Sequence, residues 1–183
     1  MTEQRFGPRR CRDSRKPLAA QCPDVVFYRC EICGALYPVT GGKALEEKEI
    51  LCCAKRAVCL PPVSAGQVSG RVNLDYQITG GYNDNAVKVT WQWQDTGDGP
   101  EWIYLKTFTG GYLKYVDRTK RPPVVFALAD TDAFAYCDED PCLECVFRCK
   151  RGFIIYAYFG EIGLVELPLD KMTAQWQSGA KNK

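Results

Sequence analysis

The sequence predicts an all-β protein in two parts, a small cysteine-bearing domain followed by a larger antiparallel β-sandwich. From Val87 the chain alternates strictly, with Val87, Val89, Trp91 and Trp93 on one side and Lys88, Thr90, Gln92 and Gln94 on the other, the pattern of a half-buried strand. No segment longer than a few residues repeats with the helical period of about 3.6. Four thiols, Cys30, Cys33, Cys52 and Cys53, fall within 24 residues, in a unit too short to be held by apolar burial alone. A chain of 183 residues has room for one medium domain and such a stapled one.

Composition removes several function classes. A net charge of +2 makes no case for nucleic acid, and no run approaches the roughly 18 apolar residues of a membrane span. There are eleven cysteines. The first 24 residues carry Arg5, Arg9, Arg10, Arg12, Arg15 and Lys16 with no apolar stretch behind them, so they do not read as an export signal. A cytoplasmic location follows, where thiols stay reduced and clusters of them favour metal ligation. Histidine is absent, which removes the commonest metal ligand and general base. No serine, cysteine or carboxylate constellation for hydrolysis stands out.

In chain order, residues 1–24 read as a flexible basic arm broken by Pro8, Pro17 and Pro23, with Cys11 and Cys22 as unassigned thiols. Residues 25–60 form the small domain. Thiolates are soft ligands, and four converging tetrahedrally suit iron or zinc. The spacer between Cys30 and Cys33 lets the chain curl into a knuckle, with Gly34 free to take positive φ. Cys52 and Cys53 are neighbours whose side chains diverge in an extended strand, so both reach one ion only across a bend, and a distorted tetrahedron is expected. Residues 36–40 and 49–51 read as two short strands joined across Gly41-Gly42 and a charged loop. Cys59 reads as structural.

Residues 61–70, with Pro61-Pro62 and Ser64-Ala65-Gly66, read as a linker, residues 71–170 as the sandwich and residues 171–183 as a tail. Residues 102–109 continue the alternation, Gly110-Gly111 makes a two-residue hairpin turn, and residues 112–116 return. Residues 124–129, 153–159 and 162–167 supply three more strands. Between them, residues 130–152 form an insertion carrying Cys137, Cys142, Cys145 and Cys149 in a C-x4-C-x2-C-x3-C pattern. One reading is a second metal, a zinc tetrathiolate or an iron–sulfur cluster, since the first three share the opening of one ferredoxin type. The others are disulfides, or an apolar seam in which Cys142, Cys145 and Cys149 line one face of a helix over 143–150. Asp138, Glu139, Asp140 and Glu144 read as a solvated face.

The spacing C-x2-C, eighteen residues, then CC, preceded by Phe27-Tyr28-Arg29-Cys30, resembles the desulforedoxin-type centre at the N-terminus of desulfoferrodoxins. Farther on, Glu101-Trp102-Ile103-Tyr104-Leu105, Tyr112-Leu113-Lys114-Tyr115, Phe126-Ala127-Leu128, Tyr156-Ala157-Tyr158 and Gly163-Leu164 are similar to their C-terminal superoxide reductase domain, an immunoglobulin-like antiparallel β-sandwich. The two resemblances span most of residues 27–167. They imply a ferrous ion held by four histidines and an axial cysteine, at which superoxide is reduced. The matching positions hold Phe159 for the cysteine, and Ile162, Gln92 and Asp98 for three of the histidines, with the fourth near Asn73. With no histidine to place, the expectation is that this centre is lost and that Phe159 and Ile162 join the core.

Two functions are left in competition. One is single-electron transfer with a redox protein partner, through an iron at Cys30, Cys33, Cys52 and Cys53. The other is a non-redox binding or assembly module stabilised by zinc at the same site, with contacts drawn from Tyr76, Tyr82, Tyr104, Tyr112 and Tyr115. An oxidoreductase using a cluster at Cys137, Cys142, Cys145 and Cys149 is a third and weaker reading. The resemblance further implies a homodimer.

Overall fold

The computed structural model describes residues 24–41, 49–80, 85–117, 119–133, 150 and 152–169. The basic arm, the tail, Cys11, Cys22, Tyr82 and the second cysteine group, Cys137, Cys142, Cys145 and Cys149, lie outside them. Among the described residues no helix is long and apolar enough to cross a membrane.

In the small domain, β1 (Val25–Arg29) pairs antiparallel with β2 (Leu36–Thr40) on one side and with β5 (Val58–Leu60) on the other. Between the last two, β3 (Leu51–Cys52) and β4 (Lys55–Arg56) form their own hairpin. The expected pairing of residues 36–40 with 49–51 is therefore wrong. The knuckle after β1 reverses the chain at once, so β2 finds β1 as its nearest partner, and Leu51 instead faces Arg56 across a tight turn.

The sandwich contains β6 (Val63–Ser64), α1 (Ala65–Val68), β7 (Val72–Thr79), β8 (Ala86–Trp93), β9 (Trp102–Lys106), β10 (Gly111–Tyr115), β11 (Val124–Ala127), α2 (Asp130–Ala133), β12 (Ile154–Phe159) and β13 (Gly163–Pro168). One sheet has the order β10-β9-β12-β13-β6 and the other β11-β8-β7. Their inner faces share one core, with Val72, Val87, Val89 and Phe126 from the smaller sheet and Ile103, Leu105, Ile155, Ala157, Phe159 and Val165 from the larger. The alternation in β8 holds, with Val87, Val89 and Trp91 buried and Trp93 half-buried.

Four local expectations need correction. The stretch read as a linker is part of the sheet, since Val63 and Ser64 lie parallel to Val165 and Glu166 and Ala65 is buried; the Ser64 N–H donates to Gln67 Oε1 at 3.1 Å. Strand β9 is not half-buried. All five of its residues are buried, Ile103 and Leu105 in the sandwich core and Trp102 and Tyr104 against the small domain. The β9–β10 turn has four residues, closed by Thr107 N–H donating to Gly110 O at 2.9 Å, because Phe108 folds inward against Phe153 with ring centroids 5.0 Å apart. Finally, β11 and β12, expected as neighbours, lie in opposite sheets, so residues 130–152 form the crossover between them.

The feet of that crossover are tied into the core. Lys150 is fully buried and its Nζ donates to the carbonyl of Ala133 at 2.7 Å. Beside it in sequence, the buried carboxylate of Asp132 accepts from the N–H and hydroxyl of Thr109 at 3.2 and 2.7 Å and from the Tyr112 hydroxyl at 3.4 Å. A buried charge is tolerated only when paired or hydrogen-bonded in this way.

The small domain docks on the outer face of the larger sheet. Phe27 enters a socket of aromatic rings, with centroids 5.1 Å from Trp102, 5.2 Å from Tyr104 and 5.1 Å from Tyr156. Two ion pairs bracket it, Asp24 with Lys106 and Arg29 with Glu101, both at 2.8 Å.

Candidate metal centre

Two tight reversals bring the first four cysteines together. In the knuckle, Gly34 N–H donates to Cys30 O and Cys30 N–H to Ala35 O, both at 2.9 Å, and Gly34 takes φ 73°. The second reversal is the β3–β4 turn. Cys53 and Ala54 have φ 50° and 59°, as a two-residue type I′ turn requires at both central positions. This is the bend that swings Cys53 to the same side as Cys52.

The sulfurs of Cys33 and Cys52 are 3.6 Å apart and those of Cys52 and Cys53 3.9 Å apart, and all four lie within 4.8 Å of one another. Four sulfurs about 2.3 Å from a zinc ion at tetrahedral angles have edges of about 3.8 Å. The donor set therefore fits one closed-shell metal, with some distortion on the longest edge. Cys30 is buried and Cys52 half-buried, while Cys33 and Cys53 are exposed.

The turn residues carry strain, because a side chain in the left-handed region costs about 1–2 kcal/mol and the usual Asn-Gly pair is missing. Ala54→Gly should stabilise the protein by about 0.5–1 kcal/mol, the relief of the Cβ clash less glycine's extra chain entropy. A urea midpoint that falls in this variant would show that the turn is not left-handed in solution.

Electrostatically the cluster is built to exchange protons for a cation. The Cys33 backbone N–H brings the Cys30 thiol down to about 7. The Cys33 sulfur, followed by those of Cys52 and Cys30, pushes Cys53 up to about 12. Although the Tyr37 hydroxyl favours the Cys52 thiolate, the sulfurs of Cys33 and Cys30 raise Cys52 overall. The same contact with Cys52 lifts Tyr37 to about 12, so the phenol remains a donor at neutral pH. Tyr37 is thus the residue outside the ligand set that orients a ligand. Tyr37→Phe should cost about 10–100-fold in metal affinity, read by competition with a chelator, as loss of such outer hydrogen bonds usually does.

Fold and site define an all-β protein with a candidate tetrathiolate metal centre docked on a β-sandwich. Among solved structures, the superoxide reductase from Treponema pallidum has a similar fold, with a TM-score of 0.54 and 16% identity over 79% of this chain and 98% of that one. No family model matches the sequence, and no curated protein matches it. At that identity the likeness is one of fold.

The positions assigned by resemblance to the histidine-bound iron do not converge. Asn73 and Gln92 are cross-strand partners on β7 and β8, both exposed on the outer face of the smaller sheet. Asp98 is exposed in the loop after β8, where its carbonyl accepts the Trp93 indole N–H at 2.8 Å. Phe159 is 1% exposed, edge-on to Trp93 at 5.8 Å, and Ile162 packs against the same core. Cys59 is half-buried in β5, opposite Tyr28. Of the tyrosines named as contacts, Tyr104 is buried under the small domain, Tyr76 and Tyr112 are half-buried, and Tyr115 is 73% exposed.

Sequence reasoning missed Tyr37, Ala54 and Arg29. Arg29 lies in the run before Cys30, but its Glu101 partner and the Tyr158 ring beneath it, 4.7 Å away, come from the other domain. Nothing local marks that pairing.

Proposed function

We propose that Cys30, Cys33, Cys52 and Cys53 hold one iron ion, that the protein passes single electrons through it to a redox protein partner, and that it does not reduce superoxide. The convergence of four sulfurs at tetrahedral spacing carries this reading. A tetrathiolate iron supplies a one-electron couple with no open coordination position, so exchange is outer-sphere. The chain's own residues set the conditions. Cys30 lies at the buried side of the cluster, Cys33 and Cys53 face solvent where a partner can approach, and Tyr37 steadies Cys52. The lack of any histidine, together with the burial of Phe159, supports the absence of a second iron of the superoxide reductase kind.

The zinc-stabilised binding module stands beside it, favoured by how the small domain is used. Phe27 and two ion pairs weld it to the sandwich, so a redox-inert ion there would still serve folding. Protein purified without oxygen decides between them. Iron at one per chain with sulfur-to-iron charge-transfer absorption supports electron transfer. Zinc at one per chain with no visible absorption supports the module. Stoichiometric reduction of superoxide would overturn both.

A further inference from the structure

The charge of this chain is unevenly divided. Residues 1–23 hold six of its cations and two of its acids, a net +4, which leaves residues 24–183 at −2. A cleft of about 380 Å³ opens between the two domains, lined by Trp93, Trp102 and Tyr115 and by the carboxylates of Asp98, Glu101 and Glu161. Gly34, next to the exposed ligand Cys33, forms part of its rim. Arg29 neutralises Glu101 at 2.8 Å, and Arg71 reaches Glu161 only at 3.5 Å, both of their side chains being more than half exposed. Pairs exposed to that degree are weak, about 0–1 kcal/mol, and yield readily to a better-placed cation.

We infer that the cleft is the docking site of the chain's own basic arm, with guanidinium groups of Arg12 and Arg15 set against Asp98 and Glu161 and over the faces of Trp93 and Tyr115. The chemistry matches on both counts, since a guanidinium binds carboxylates through paired hydrogen bonds and stacks on aromatic faces. Reach also matches. The described chain begins at Asp24, fixed by Lys106, and the cleft lies at the other end of β1, beside Arg29. Five strand residues span about 17 Å, whereas the eight residues from Lys16 to Asp24 extend to about 27 Å. The docked arm covers the Gly34 side of the knuckle and leaves β5 free. Occupancy of the cleft does not depend on which metal, if any, the cysteines hold.

The test uses the full chain. Trypsin cuts after Arg12, Arg15 and Lys16, and its rate on a docked segment follows the undocked fraction. Asp98→Lys with Glu161→Lys should raise the initial rate of arm cleavage about tenfold at low salt, and 0.5 M salt should do the same to the unmodified chain. In a parallel arm, Arg12→Glu with Arg15→Glu should shift the Trp93 indole N–H resonance, which leaves the fold untouched because those residues precede it. The inference is overturned if cleavage is equally fast in all chains and the Trp93 resonance does not move. It is likewise overturned if that resonance responds to an added cationic peptide but not to reversal of the arm's charges, since the cleft would then serve a partner.

Discussion

Cys30→Ser should empty the metal centre and unfold the small domain while leaving the sandwich folded. Cys30 is the buried ligand and the knuckle's anchor, hydrogen-bonded at its N–H and C=O. Apparent binding free energies for structural zinc in small peptides are about 10–16 kcal/mol, more than a domain of this size recovers by burial. Metal per chain should fall from one to near zero, and the sulfur-dependent absorption, if iron is bound, should vanish. Cys59→Ser is the control, for its thiol lies in β5 outside the cluster, and it should keep a full complement. A Cys30→Ser chain that retains one tightly held ion would place the metal elsewhere. The loaded site should also fail in acid, because protons compete for every thiolate and metal affinity falls as pH falls. The metal-free protein behaves oppositely. A thiol whose folded value is raised lends stability below its ordinary value near 9 and loses it above, so Cys53, at about 12, weakens the empty domain as pH rises from 9 towards 12. Unfolding midpoints of loaded and stripped protein across that range should diverge with opposite slopes.

Phe27→Ala should cost about 3–5 kcal/mol, the usual loss for emptying a buried aromatic site. The ring is 1% exposed and meets three aromatic rings of the sandwich at 5.1–5.2 Å, each such pair worth about 0.5–1.5 kcal/mol beyond burial. Because it is the main apolar tie between domains, its removal should also split one cooperative unfolding transition into two. Urea unfolding followed separately by tryptophan fluorescence and by metal release reads both effects. Coincident curves with a loss under about 1 kcal/mol would mean that the domains do not dock through this socket.

The site was legible where chemistry is local. Spacing alone brought Cys30, Cys33, Cys52 and Cys53 into one set, since few arrangements of four close thiols serve anything but a metal, and it required the bend that Cys53 and Ala54 supply. Strand β8 was legible because its two faces meet different surroundings. Strand β9 misled for the same reason, as covering both faces erases the polar half of the pattern. Tyr37 carried no signal, because a tyrosine in a short strand looks alike whether its hydroxyl meets water or a thiolate.

By itself the sequence determined an all-β chain, a four-thiol cluster and the lack of histidine, because these depend on residue identity and on contacts within a few positions. Tertiary structure alone decided which strands pair, that residues 63–68 belong to the sandwich, that the small domain seats Phe27 among Trp102, Tyr104 and Tyr156, and that a cleft opens between the domains. Those are contacts between residues dozens of positions apart, whose energy comes from complementary surfaces, and no stretch of chain encodes a surface it does not itself contain.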